Sequence, residues 1–235
     1  MRRTYALLAT LLLAGTILGC DAAPPPANSP SDAATEASPS DASSAQLLVL
    51  GRSVMTGWMA HWGGDPSAPT EWQGYSITFR EIEGPPGIAD SAAAAIAEAP
   101  AGSVVLFKFC FVDFNGGDYD NELDTYLDHV AEVADATEAR GVSLILGTAL
   151  PKVAGETTPE LVAEHREFGE RLEEFAADRR GRGQDVVVLD LNAVLTDDDG
   201  ALRDRYAVSA DDSHLTDAAY NALDDVLLPL LDERR

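Results

Sequence analysis

Cysteine is nearly missing from this chain: there are two, Cys20 and Cys110, among 235 residues. That is too few for a disulfide framework of the kind that staples small exported domains. Positive charge is scarce as well, with 16 Lys and Arg against 40 Asp and Glu and a formal charge of −24. A surface so acidic repels phosphate backbones and anionic headgroups, which excludes nucleic acid as a partner. No Cys/His spacing suited to zinc, no Gly-rich phosphate loop and no dinucleotide fingerprint occurs, so neither a metal nor an organic cofactor is expected. The run Asp197-Asp198-Asp199-Gly200 lacks the alternating ligands and distal Glu of a calcium loop and reads as a solvated turn. Long apolar runs are absent too. Ala6 to Leu18 falls short of the roughly 20 residues that a membrane-spanning helix needs.

That short run has another use. Arg2 and Arg3 precede it, giving the cationic start and apolar core of a signal peptide. It closes on Ile17-Leu18-Gly19-Cys20, which resembles the lipobox of bacterial lipoproteins. The resemblance implies removal of residues 1–19 and acylation of Cys20. Cleavage would take Arg2 and Arg3 but no acid, moving the charge from −24 to −26. Residues 20–45 are rich in Ala, Pro and Ser, with no aromatic and no aliphatic side chain larger than Ala. Such a segment buries too little to offset its ordering entropy and reads as a disordered tether. The expected location is the cell envelope, with the protein lipid-anchored and facing the periplasm or exterior. The only membrane contact would be that lipid, and the protein would be a monomer. Cys110, flanked by Phe109 and Phe111, is then a lone packed thiol without a Cys–His pairing.

Residues 46–235 are enough for one well-buried domain and too few for two. Short aliphatic runs alternate here with longer segments of helical spacing. The runs Leu47–Leu50, Ser76–Ile82, Ser103–Phe111, Val142–Gly147 and Asp185–Leu191 read as buried parallel strands. Helices are expected at Val54–Trp62, Ala89–Ala97, Tyr119–Arg140, Pro159–Arg180 and Asp217–Glu233. Thr158 before Pro159 suits a cap and first turn, and Gly141 after Arg140 suits a stop. Fivefold alternation predicts a three-layer α/β/α sandwich on a five-stranded parallel sheet. Ligands in such sheets bind beyond the carboxyl ends of the strands, so chemistry is sought there.

The first strand runs into Leu50-Gly51-Arg52-Ser53-Val54. A Ser where a strand turns into a helix is held out at the sheet rim, near backbone N–H groups able to face an oxyanion. It would serve equally well as a plain helix cap. Beyond the fifth strand comes Asp211-Asp212-Ser213-His214-Leu215-Thr216, just before the last helix. A serine nucleophile needs a base, and the base needs a carboxylate to fix its tautomer and stabilise its charged form. One short segment could supply both. It could also be a surface loop with helix caps, since Thr216 and Asp217 suit a helix start.

These two motifs, in this order on this arrangement of elements, resemble those of the SGNH (GDSL-like) hydrolases across residues 46–235. The resemblance implies Ser53 as nucleophile, His214 as base and Asp211 as its orienting partner. Two departures stand out: Arg52 replaces the Asp that usually precedes the Ser, and Cys110-Phe111-Val112-Asp113 replaces Gly-x-Asn-Asp. Asp113 persists, but Val112 stands where the oxyanion-binding Asn would be. A Gly after the second strand should give a backbone N–H, with Gly87 preferred over Gly84. Asn115, Lys108 or the Cys110 backbone would replace the missing amide.

The activity so implied is that of an extracytoplasmic serine esterase, an acyl- or acetyl-ester hydrolase without cofactor. Its substrate would be a small ester or an O-acylated glycan. The alternative is a glycan- or partner-binding lipoprotein on the same fold, its site disabled by Arg52 and Val112. His61, His129 and His165 lie in helical patterns without catalytic partners and read as surface or core residues. Trp58, Trp62 and Trp72 would either pack internally or form a sugar-stacking lip.

Overall fold

The computed structural model describes residues 44–117 and 120–235. The expected leader, Cys20 and nearly all of the tether lie outside these residues. Ser44 is already placed, and Ala45 opens the first strand.

In chain order the elements are β1 (Ala45–Gly51), α1 (Ser53–His61), β2 (Thr70–Trp72), β3 (Tyr75–Glu81), α2 (Ile88–Glu98) and β4 (Val104–Phe107). There follow α3 (Asp120–Arg140), β5 (Ser143–Gly147), α4 (Pro159–Gly181), β6 (Val186–Leu189) and α5 (Leu191–Leu195). The chain ends in β7 (Ala207–Ser209), β8 (Asp212–Leu215) and α6 (Asp217–Asp232). The main sheet runs β2-β3-β1-β4-β5-β6, and β7 and β8 form a separate antiparallel pair.

Five of the six strands are parallel, as expected, but the sheet has a sixth. It is β2, antiparallel to β3 at the edge. Three residues of Thr-Glu-Trp carry no period, so nothing in the sequence marks them as a strand. Elsewhere the alternation of strand side chains divides the core in two. Leu47 and Val49 face α1 and α6, meeting Met55, Trp58, Tyr220 and Leu223. Leu48 and Leu50 face the layer of α2, α3 and α4, meeting Ile96, Val130 and Phe168. A sheet covered on both sides leaves its carboxyl-end rim as the place for chemistry. The order 2-1-3-4-5 of the parallel strands is that of a doubly wound sheet, with the rim site at β1.

Two features hold the rim of β1. A Cβ on Gly51 would overlap Met55 Cγ, so only Gly lets the strand turn straight into α1. On the outer side of α1, Trp58 and Trp62 both donate their indole N–H to Asp224 Oδ1 of α6, at 2.7 and 2.9 Å. His61 adds a 3.4 Å contact to the other oxygen of Asp224. Burial raises the Asp224 pKa against the opposing pull of these donors. Trp58 and Trp62 are buried here, with Trp72 tilted against Trp62 at 4.8 Å, so this cluster is packing that seats α1.

Candidate active site

Ser53 is the first residue of α1, and the capping position belongs to Arg52, which makes no side-chain cap hydrogen bond. The Ser53 hydroxyl is therefore not spent on the helix. Its Oγ lies exposed, 3.0 Å from His214 Nε2. His214 comes from β8, and the ring of Phe111 meets the imidazole edge-on at 5.4 Å. Within the described residues, neither the Ser53 N–H nor the Val54 N–H has a protein acceptor. Both are free at the positive end of α1.

The carboxylate behind the imidazole is Asp212, not Asp211. Asp212 Oδ1 accepts from the His214 backbone N–H at 2.9 Å and lies 2.7 Å from Nδ1. With Nδ1–H held there, Nε2 is left with its lone pair toward Ser53. Asp211 instead accepts from the Ser209 hydroxyl at the hairpin turn. The cause is the pleat: 212 and 214 are two apart on one strand and share a face, whereas 211 lies outside it. The hydrogen bonds from His214, backbone first and ring second, hold the Asp212 carboxyl below the ordinary carboxylate range. A carboxylate so held stays charged beside the base.

The expected oxyanion donors fare differently. The Gly87 N–H is used within its own turn, donating to Gly84 O at 3.0 Å. The Cys110 N–H donates to Asp113 Oδ2 at 2.8 Å, and its thiol is buried. Asn115 accepts from the Gly117 N–H, its amide nitrogen lies 3.5 Å from Glu122, and its backbone N–H goes to Glu164. Lys108 is fully buried, with Nζ on Phe109 O at 3.0 Å and its pKa lowered to about 8 by desolvation. Asp113 pairs with Arg52. Val112, whose side chain carries no amide, is exposed to water. Of the backbone donors expected from the sequence, those of Gly87 and Cys110 are taken, whereas the Gly84 N–H has no protein acceptor among the described residues.

Sequence reasoning missed one partner of His214 and one contact across the rim. Asp212 carries no signal in a segment that reads as a loop, where strand alternation gives no guide. Arg52 reads in the sequence as a departure that would disable the site, and the structure ties it to Asp113 across the rim.

A scan against protein-family models and a search of curated proteins found no match. Solved structures do match. One is a GDSL-like lipase from Bacteroides thetaiotaomicron, at TM-score 0.59 and 15% identity, covering 81% of this chain and 89% of that one. Another belongs to the lipolytic G-D-S-L family from Veillonella parvula, at TM-score 0.56 and 15% identity, covering 80% and 98%. A third is a catalytic mutant of an acetylxylan esterase from Geobacillus stearothermophilus, at TM-score 0.56 and 18% identity, covering 80% and 94%. The fold of this chain is thus the one found in GDSL/SGNH-like hydrolases.

Proposed function

We propose that the protein is a serine hydrolase of ester bonds. The observation that carries this reading is the continuous chain Asp212–His214–Ser53, at 2.7 and 3.0 Å. Such a chain is what a hydroxyl nucleophile requires. Ser53 Oγ attacks the ester carbonyl while His214 Nε2 takes its proton, and Asp212 stabilises the imidazolium that forms. The tetrahedral adduct collapses, the C–O bond to the alcohol breaks, and His214 gives its proton to the departing oxygen. Water then repeats the sequence on the acyl-enzyme and frees the acid and Ser53.

The exposed position of Ser53 suits a short acyl group on a large alcohol better than a long chain needing a tunnel. Acetyl or similar esters on glycan are the substrates we favour, hydrolysed outside the cytoplasm by a protein tethered through Cys20. The occupied donors around Asp113 favour a second reading, a binding protein without turnover. A fluorophosphonate probe separates the two: labelling of the wild type, lost in Ser53→Ala, supports the hydrolase, and an unlabelled wild type refutes it. Membrane fractionation tests the anchor, since Cys20→Ala should move the protein to the soluble fraction.

A further inference from the structure

A serine hydrolase must stabilise the negative oxygen of its tetrahedral adduct, and this is usually the largest single contribution to its rate. The helix terminus supplies the open N–H groups of Ser53 and Val54. The Gly84 N–H, from another direction, has no protein acceptor among the described residues, but the side-chain amide expected after the central strand is missing. The Gly87 and Cys110 N–H groups are taken by the protein, the Asn115 amide nitrogen turns toward Glu122, and Lys108 is buried on Phe109 O.

A cation stands on the rim beside Ser53. Arg52 immediately precedes Ser53, and its guanidinium bridges the loop after β3 to the loop after β4. A Cβ on Gly84 would fall 2.8 Å from Arg52 Nη1, so the guanidinium lies close against that glycine. On the other side Nη2 is paired with Asp113, whose side chain is 8% exposed. Asp113 is itself fixed by the Cys110 N–H. The short turn Phe111–Asp113 therefore touches both ends of the site: Phe111 packs on the His214 ring, and Asp113 holds Arg52. Arg52 keeps 24% of its side chain in contact with water, and Nη1 and Nε have no protein acceptor among the described residues.

We propose that the free N–H groups of Arg52 bind the oxyanion of the tetrahedral adduct, doing the work of the missing amide. The inference rests on the serine-hydrolase reading and deepens it. Arg52 transfers no proton. As the Ser53 Oγ–carbon bond forms, the carbonyl π pair moves onto oxygen, and the guanidinium meets that charge. The interaction is released when the carbonyl re-forms and the leaving C–O bond breaks. A charge-assisted donor is about twice as strong as a neutral one. Asp113 does not cancel it, because it occupies one edge of the fork and so orients the rest. On this account the two departures from the usual motifs are one exchange: Arg52 is present because Val112 is not Asn.

The test is turnover of p-nitrophenyl acetate by the full-length protein, with Ser53→Ala as the blank. Arg52→Met should lower kcat about 10²- to 10³-fold and leave KM within threefold. Asp113→Asn, whose amide oxygen can still accept from Cys110 and Arg52, should lose less than tenfold. The double variant Arg52→Met/Asp113→Asn should be as slow as Arg52→Met. It also carries the comparison if Arg52→Met alone fails to fold, since it leaves no unpaired carboxylate behind. A kcat within threefold of wild type in Arg52→Met overturns the proposal, as does a double variant as fast as Asp113→Asn, which would make Arg52 only a partner for Asp113. Wild type no faster than Ser53→Ala would instead overturn the hydrolase reading itself.

Discussion

Exchanging Asp212 for Asn gives the sharpest test of the relay, with Asp211→Asn as its control. The Asn oxygen can still accept from both the backbone N–H and the ring Nδ1 of His214, so the geometry should survive. What is lost is the negative charge 2.7 Å from the imidazole. A fully buried partner of this kind is worth about 10⁴ in rate. Here the two side chains are 44% and 42% exposed, so water screens much of the interaction. A fall in kcat of about 10²-fold is therefore expected, smaller than in a buried triad. Asp211, whose one side-chain hydrogen bond among the described residues is from the Ser209 hydroxyl, should change kcat less than about twofold. Ester turnover and a thermal melt on the same samples separate rate from folding. Asp212→Asn at half the wild-type kcat or better would refute the relay as described. A dead Asp211→Asn with a normal melt would return the role to Asp211.

Two buried groups outside the relay give predictions about pH and stability, and one glycine a prediction about packing. His165 has its pKa lowered to about 4, chiefly by burial, so the folded state resists a proton that the unfolded chain takes near pH 6.5. Stability should therefore fall as pH drops from 6.5 to 4, and His165→Phe, measured by urea melts, should remove about 3 kcal/mol of that loss. A parallel loss in both proteins would refute this. Lys108, lowered to about 8 by desolvation, makes the opposite end of the scale informative. Folding penalises its charge below pH 8, and that penalty fades as pH rises to 10.5. Lys108→Met should be more stable than wild type by about 3 kcal/mol at pH 7, less about 1 kcal/mol for the bond to Phe109 O, and should lose its advantage by pH 10.5. An advantage that persists to pH 10.5 would rule this out. Gly57→Ala would drive a methyl into the Tyr220 hydroxyl and should cost about 1–3 kcal/mol in a denaturant melt; an unchanged midpoint would show that α1 can shift.

Much of this arrangement was legible because parallel strands buried on both faces read as continuous aliphatic runs. Runs such as Leu47–Leu50 and Val142–Gly147 could hardly be anything else. The edge strand β2 and the hairpin β7–β8 were not legible, being three or four residues long and half-exposed, with too little period to detect. That gap cost the identity of the carboxylate. Ser53 and His214 were found because each sits where a strand or loop meets a helix, a position set by topology rather than by side-chain direction. The carboxylate depends on direction, and direction depends on whether residue 212 is in a strand. Donor availability was not legible at all. Whether the N–H of Gly87 or Cys110 is free depends on Gly84 O and Asp113, and those partners are set by the turns.

The clustering of Trp58, Trp62 and Trp72 on one flank of α1 has an optical consequence. These are all three tryptophans of the chain, so ultraviolet emission excited at the red edge arises from this patch alone. Two of the indoles share one oxygen of Asp224, and the rings stand 5.1 and 4.8 Å apart in series, close enough to exchange excitation. Intrinsic fluorescence therefore watches the docking of α1 on α6, and with it the placement of Ser53, without any attached dye. An occupant of the rim that tightens this docking would announce itself as a spectral shift, and loosening of α1 by heat or denaturant could be timed separately from the loss of the sheet.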